Sequence, residues 1–283
     1  MSAANSYANI LDMRWLVGDV HGMLKPLETL VGEINRIDPD AVFYFVGDYV
    51  NRGRDTCGVI NFLLSLDNAK FIRGNHDDVF DQILHGKAYA ENASRGDRFV
   101  ALQWFLEHGL LETLQSYAVK TEQIVRAVSQ RSRDALDVII DAIPVEHRMF
   151  IRSLPVFIED DDLFVVHGKW PLKESATPQQ LLGSSVLVPS LRNESLWGRF
   201  TDADLHRKKA WPKVGFFGHT PVMTYKGHEN EYNPIIAVKM ILLDTAAALS
   251  PNGRLSAICA ETSELIQADL LGKIVTQKDV KTA

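Results

Sequence analysis

Five short polar clusters lie between Gly18 and Thr220: Gly18-Asp19-Val20-His21-Gly22, Gly47-Asp48-Tyr49-Val50-Asn51-Arg52-Gly53, Gly74-Asn75-His76-Asp77, His167-Gly168 and Gly218-His219-Thr220. Together they offer Asp19, His21, Asp48, Asn75, His167 and His219. These are oxygen and imidazole donors without a thiolate, a set that suits borderline divalent ions such as manganese, iron or zinc. Carboxylates brought close together repel unless cations offset their charge. Singly, each cluster is weak, because an Asp after a strand is commonly a helix N-cap. Only their convergence at one place would make a site.

Convergence needs a scaffold. Short apolar runs precede the clusters: Arg14–Val17, Val42–Val46, Lys70–Ile72, Leu163–Val166 and Val214–Phe217, with a sixth at Met240–Leu243. Runs of this length read as buried strands. Helical patterns at Leu27–Ile37, Gly58–Leu66 and Asp77–Leu84 lie between them, and the alternation argues for an α/β fold. Ligands of open α/β sheets bind beyond the carboxyl ends of the strands, where these clusters fall. From His85 to Leu154 the rhythm changes. Phe99–His108, Thr121–Ile143 and Pro144–Ser153 have helical spacing, and residues 85–154 read as a helical cap inserted into a single domain of residues 1–283. The aromatics Phe99, Trp104 and Phe105 are expected to be core. Ser250-Pro251-Asn252-Gly253 carries a hairpin-type turn signal, and Val275–Ala283 looks polar and loosely held.

The ordered set GDxHG, GDxxxRG, GNHD, HG and GHT resembles the phosphoprotein-phosphatase branch of the calcineurin-like metallophosphoesterases. Leu243-Asp244-Thr245 and Gly253-Arg254-Leu255-Ser256-Ala257 are similar to the endings of bacterial members. The resemblance implies a β-sandwich core flanked by helices and a two-metal centre. It implies that Asp19, His21 and Asp48 hold one ion, and that Asp48 bridges to a second held by Asn75, His167 and His219. Hydroxide between the ions would attack phosphorus in line. His76 corresponds to the general acid, and Arg52 to a phosphate-binding arginine, with Asn75 also against the phosphate. Leu196-Trp197-Gly198-Arg199 makes Arg199 the candidate second phosphate arginine, ahead of Arg73 and Arg192. The branch usually carries an acid where this chain has Asn51, the residue that orients the catalytic histidine. Asn51 therefore weakens the inference to a phosphoprotein substrate more than the inference to hydrolysis.

The resemblance thus implies a bacterial-type protein phosphatase or general phosphomonoesterase with two divalent ions, manganese first and iron or zinc as alternatives. A bis(5'-nucleosyl)-tetraphosphate hydrolase is the nearest alternative, and a catalytically silent binding module on the same fold is a different class. The expected partner is a phosphoprotein or a small phosphorylated molecule. A formal net charge of −6 disfavours a nucleic-acid polymer. No apolar run approaches a membrane span, and no secretory signal is evident, so a cytoplasmic location is expected. Cys57 and Cys259 read as separate thiols. His85, His108, His147, His206 and His228 match no motif. Glu159–Asp162 reads as a solvated turn, and His206-Arg207-Lys208-Lys209 as a solvated basic face.

Overall fold

The computed structural model describes residues 13–90, 97–183 and 189–279. Among the described residues, eleven strands form two mixed sheets. The first contains β1 (Arg14–Val17), β2 (Val42–Phe45), β3 (Ala69–Phe71), β9 (Arg254–Cys259), β10 (Glu264–Asp269) and β11 (Ile274–Asp279), in the order β11-β10-β9-β1-β2-β3. The second contains β4 (Phe157–Glu159), β5 (Leu163–Val166), β6 (Val214–Phe217), β7 (Ile235–Ala237) and β8 (Met240–Leu242), in the order β4-β5-β6-β8-β7. Strands β1, β2 and β3 are parallel neighbours, as are β5, β6 and β8.

The period-two alternation of side chains builds the layers. Leu16, Tyr44, Val46, Leu163, Val165, Phe216 and Ile241 form one buried cluster between the sheets. Their neighbours Trp15, Val17, Phe43 and Phe45 point the other way, into a helical layer. Phe164, Val166, Phe217, Met240 and Leu242 face a second outer layer. The result is a β-sandwich flanked by helices, as the resemblance implies.

The layer against the first sheet includes α1 (Leu24–Ile37), α2 (Thr56–Leu64) and α3 (Asn75–His85). Helices α4 (Arg98–Leu106), α5 (Leu110–Ser116), α6 (Thr121–Gln130), α7 (Arg133–Asp141) and α8 (Val145–Ser153) follow. They share one apolar cluster with that sheet, through Leu102, Phe105, Leu114, Ile139 and Ile151 among others. On the far side lie α9 (Pro178–Leu181), α10 (Pro189–Trp197) and α11 (Asp202–His206). Among the described residues no helix is long and apolar enough to cross a membrane.

Four sequence expectations need correction. Thr121–Ile143 is two helices, not one. Arg131 takes a left-handed φ of 48°, and Ser132 caps α7 by accepting from Ala135 N at 3.3 Å. The turn at Ser250–Gly253 joins no hairpin, because β8 and β9 lie in different sheets. Residues 274–279 form β11, paired antiparallel with β10; residues 280–283 lie outside the described residues. The acidic run at 159–162 keeps the solvated turn expected of it, with Asp161 and Asp162 exposed, and adds ion pairs: Asp160 and Asp162 with Arg14, and Glu159 with Lys213. Within the basic stretch, Lys209 is buried and donates to Leu205 O, whereas His206, Arg207 and Lys208 are exposed.

Candidate metal centre

Each parallel strand releases its chain into a loop on the same edge of the sandwich. Asp19 and His21 follow β1, Asp48 follows β2, and Asn75 and His76 open α3 after β3. His167 follows β5 and His219 follows β6. All seven are buried. Left-handed φ values occur at His21 (46°), Asp48 (57°), Asn51 (74°), Arg52 (68°) and His219 (67°). Such conformations in non-glycine residues are uncommon and concentrate where function requires them. Close approach sets two glycines. A Cβ on Gly74 would stand 2.0 Å from Asp48 Oδ1, and one on Gly218 would stand 2.1 Å from Asp19 Oδ1.

Backbone carbonyls fix the imidazoles. His21 Nδ1 donates to Val50 O at 2.8 Å, and His167 Nδ1 donates to Val46 O at 2.7 Å. Both therefore turn an Nε2 lone pair inward. His219 is reversed: Nε2 donates to Trp197 O at 3.2 Å, which leaves the Nδ1 lone pair inward. Asn75 Oδ1 lies 2.8 Å from that Nδ1 and 3.0 Å from His167 Nε2. With these tautomers all three atoms are acceptors, so none can satisfy another. Asp48 Oδ2 lies 3.4 Å from both His21 Nε2 and His167 Nε2. Two groups of donor atoms, each within 4.8 Å, share Asp48: one with His21 and His76, the other with Asp19 and His167.

Charge is crowded as well. Burial pushes Asp19 well above the usual carboxylate range, and the charge of Asp244 adds to the effect. Burial also raises Asp244, against the hydrogen bond from Ala246 N. Asp244 Oδ2 is buried without a partner among the described residues. Burial disfavours charge on His167, but Asp48 outweighs it and holds the ring up at about 9, so without a cation Nε2 carries a proton beside Asp48, and a divalent ion would take that proton's place. Inward lone pairs and crowded carboxylates form a donor set that divalent cations satisfy. The residues present therefore fit the implied metal centre.

Around these donors lie the remaining candidates. Arg52 Nη1 is 2.5 Å from His21 Nε2, and Arg52 Nη2 is 3.1 Å from His76 Nε2. Asn51 Nδ2 is 2.8 Å from His76 Nδ1. Arg199 is exposed beside His219, with Nη1 3.5 Å from Thr220 Oγ1. Arg73 is buried and paired with Asp78 (2.7 Å) and Asp81 (2.9 Å), a structural position. Arg192 lies 4.5 Å over the Tyr89 ring.

Two supporting residues were not read from sequence. Asp77 accepts from the backbone N–H groups of Asp48 (2.8 Å), Tyr49 (3.0 Å) and Gly74 (2.9 Å), tying two motif loops together. Its position inside GNHD was the available signal. Thr113 on α5 accepts from Asn51 N at 2.8 Å and donates to Asn51 Oδ1 at 3.3 Å. Nothing in the local sequence marks it. Through Thr113, and through Gly109 O, which accepts from Arg52 N at 2.9 Å, the helical stretch holds the second motif loop.

The chain is 32% identical over 98 residues to a symmetrical bis(5'-nucleosyl)-tetraphosphatase of Marinomonas sp. (strain MWYL1), covering 32% of this chain and 36% of the relative. It is 28% identical over 158 residues to the enzyme of the same name from Proteus mirabilis (strain HI4320), covering 50% and 56%. It thus spans about a third to just over half the length of these two curated relatives. In fold it is similar to the cold-active protein-tyrosine phosphatase of a Shewanella sp., with a TM-score of 0.51, 17% identity, and 95% and 81% of the two chains covered. A metallophosphoesterase from Sphaerobacter thermophilus gives a TM-score of 0.50 at 16% identity, with 94% and 89% covered. The calcineurin-like phosphoesterase family model matches residues 14–223, the span that carries all five motif loops, and the chain belongs to that family of phosphoric ester hydrolases.

Proposed function

We propose that this chain hydrolyses phosphoanhydrides and phosphate esters of good leaving groups, with nucleoside polyphosphates as the best-fitting substrate class. The contact between Asn51 and His76 carries this reading. A carboxylate at position 51 would favour the imidazolium and strengthen its hold on a proton. An amide orients the ring without that charge. A poor leaving group such as a serine alkoxide needs a full proton as it departs, whereas a phosphoanhydride leaving group needs little help. Of the two substrate classes left open by the sequence, the phosphoanhydride suits this pair better. The names of the curated relatives agree with it.

In this reading Asp19, His21 and Asp48 hold one divalent ion, and Asp48, Asn75, His167 and His219 hold a second, with manganese the first choice. When bound, such a pair supplies Lewis acidity and an activated water. The protein's own residues do the rest. Arg52 Nη2 and His76 Nε2 lie 3.1 Å apart, close enough for one phosphate oxygen to accept from both once it draws the guanidinium off the ring. Arg199, beside His219, grips the phosphate from the opposite side, as a planar fork can. Where the leaving oxygen needs a proton, only the imidazolium form of His76 supplies it, from Nε2, and returns to the neutral ring. Asp77 keeps the Asp48 and Asn75 loops in register.

The test is a panel of diadenosine tetraphosphate, an aryl phosphate and a phosphoserine peptide, each with added manganese. The expected order of kcat/KM is tetraphosphate first and phosphoserine peptide last. A phosphoserine peptide turned over best would overturn the substrate assignment while leaving the hydrolase reading intact.

A further inference from the structure

Trp104 from α4 and Trp197 at the end of α10 stack face to face, with ring centroids 5.7 Å apart and planes 26° apart. Both ends of the stack join the site. Trp104 packs on Phe105 at 5.0 Å, and Phe105 on His76 at 5.1 Å. Trp197 packs edge-on to His219 at 6.3 Å. His108 adds a ring 5.0 Å from Trp104. A continuous wall of rings thus runs from the candidate proton donor to a candidate metal ligand.

The chain has five tryptophans. Trp15, Trp170 and Trp211 are core residues, 0–1% exposed. Trp104 and Trp197 are only half-buried. Contact between α4 and α10 accounts for the stack, but apolar side chains of any shape would serve that contact. Flat, part-exposed indoles beside a phosphate-binding centre offer in addition what a planar base recognises, and stacking of this kind contributes strongly to nucleotide binding.

Reach selects among aromatic ligands. Buried Phe105 stands between His76 and Trp104, so that indole lies two ring-to-ring steps from the proton donor, while Trp197 closes the wall beside His219. A phenol esterified directly to the scissile phosphate lacks the length to cover Trp104. In a nucleoside diphosphate leaving group, the ribose and the phosphates separate the base from the broken bond, and the base can span that gap.

We propose that Trp104 and Trp197 form a stacking subsite for the base of a nucleotide on the leaving-group side of the scissile bond. This rests on the hydrolase reading above and adds to it the part of the substrate that is recognised. Because every base presents a π face, the subsite distinguishes nucleotides from bare phosphates rather than one base from another.

The experiment uses the full chain with manganese, as wild type, Trp104→Leu and Trp197→Leu. Both side-chain changes keep the Trp197 carbonyl that holds His219. The readout is the ratio of kcat/KM for diadenosine tetraphosphate to that for inorganic tetraphosphate. Each variant should lower this ratio about 5- to 100-fold. Equal losses on both substrates would mark a structural stack and overturn the proposal. A second readout is independent of turnover. ADP should quench the tryptophan fluorescence of the wild type, and inorganic pyrophosphate should not. The quench should shrink in both variants. Wild type that turns over nothing would count against the hydrolase reading alone, and the ADP quench would still decide the subsite. Unquenched fluorescence at saturating ADP would overturn it.

Discussion

Asn51 Nδ2 lies 2.8 Å from His76 Nδ1, both side chains fully or nearly fully buried. Asparagine could have oriented the ring through its carbonyl. Here Thr113 Oγ1 donates to that carbonyl at 3.3 Å, so the amide N–H faces the imidazole. Nδ1 then accepts and the ring proton sits on Nε2, where Arg52 Nη2, itself only a donor, stands 3.1 Å away, so the two N–H groups can share an outside acceptor but cannot bond each other. This tautomer points an N–H hydrogen-bond donor at the site, but only the imidazolium can give a proton up, and the neutral partner does not favour that form. Burial moreover lowers the His76 pKa well below its usual value, against the pull of Asp48.

Asn51→Asp should therefore change substrate preference. The new carboxylate would accept from Nδ1–H and favour the imidazolium. The ratio of kcat/KM for a phosphoserine peptide to that for an aryl phosphate should rise. An unchanged or lower ratio in a folded, metal-loaded variant would reject the role given to Asn51. Thr113→Val should shift this ratio less than Asn51→Asp does, because it loosens the amide without adding charge.

Arg52→Ala and Arg199→Ala should each cost about 2–4 kcal/mol in transition-state stabilisation, read from kcat/KM. Arg52 has the stronger geometric case, lying between His21 and His76. Arg199 is exposed and tethered only loosely to Thr220. If Arg199→Ala matches wild type and Arg192→Ala does not, the second phosphate arginine is Arg192. Arg73→Ala should instead lower stability, because it strands the buried carboxylates of Asp78 and Asp81.

Gly74→Ala tests the packing of the centre. The added methyl would stand 2.0 Å from Asp48 Oδ1 and 2.4 Å from Asp48 N. Asp48 must move, and both donor groups contain it. Manganese affinity by titration calorimetry should fall at least about tenfold, as when an outer-shell support is lost. Asp48→Asn should be more damaging still, since it removes the charge common to both groups. Exhaustive chelation should abolish aryl phosphate hydrolysis, and manganese should restore it. Full activity in a metal-free sample would sink the two-metal reading.

The motif loops were legible because they combine local chemistry with local strand endings. Asp19, His21 and Asp48 each follow a short apolar run closely enough for sequence to locate them. The sheet partners of those runs were not legible, because pairing is long-range. Nothing near Met240 or Arg254 says that β8 and β9 belong to different sheets. A Pro-Asn-Gly turn looks the same whether it closes a hairpin or carries the chain across a sandwich. Thr113 was hidden for a similar reason. It lies 62 residues from Asn51 in sequence, and its hydroxyl matters only once α5 packs on the second motif loop. The aromatic residues 99–105 divide: Phe105 is buried as expected, but Phe99 and Trp104 are only half-buried. A helical stripe cannot reveal which of its positions the rest of the chain leaves uncovered.

The last expectation concerns His147 on α8, far from the motifs in sequence. Its ring is buried between Tyr117 and Asn61: the Tyr117 hydroxyl donates to Nδ1 at 2.9 Å, and Nε2 donates to Asn61 Oδ1 at 3.0 Å. Both nitrogens are satisfied by the neutral ring. Burial lowers its pKa below the usual value, with Glu146 opposing. The folded chain thus binds this proton less readily than the unfolded chain, whose histidine titrates near ~6.5. Stability from this site is complete above that pH and is lost as pH falls through it toward the lower folded value. His147→Gln keeps an amide donor for Asn61 and an acceptor for Tyr117 but cannot titrate. Between pH 7.5 and 5.5 the Tm of wild type should fall more steeply than that of the variant. The buried motif histidines contribute equally to both proteins, so the difference in slope isolates His147. Parallel Tm curves would show that its ring is protonated as readily in the fold as out of it.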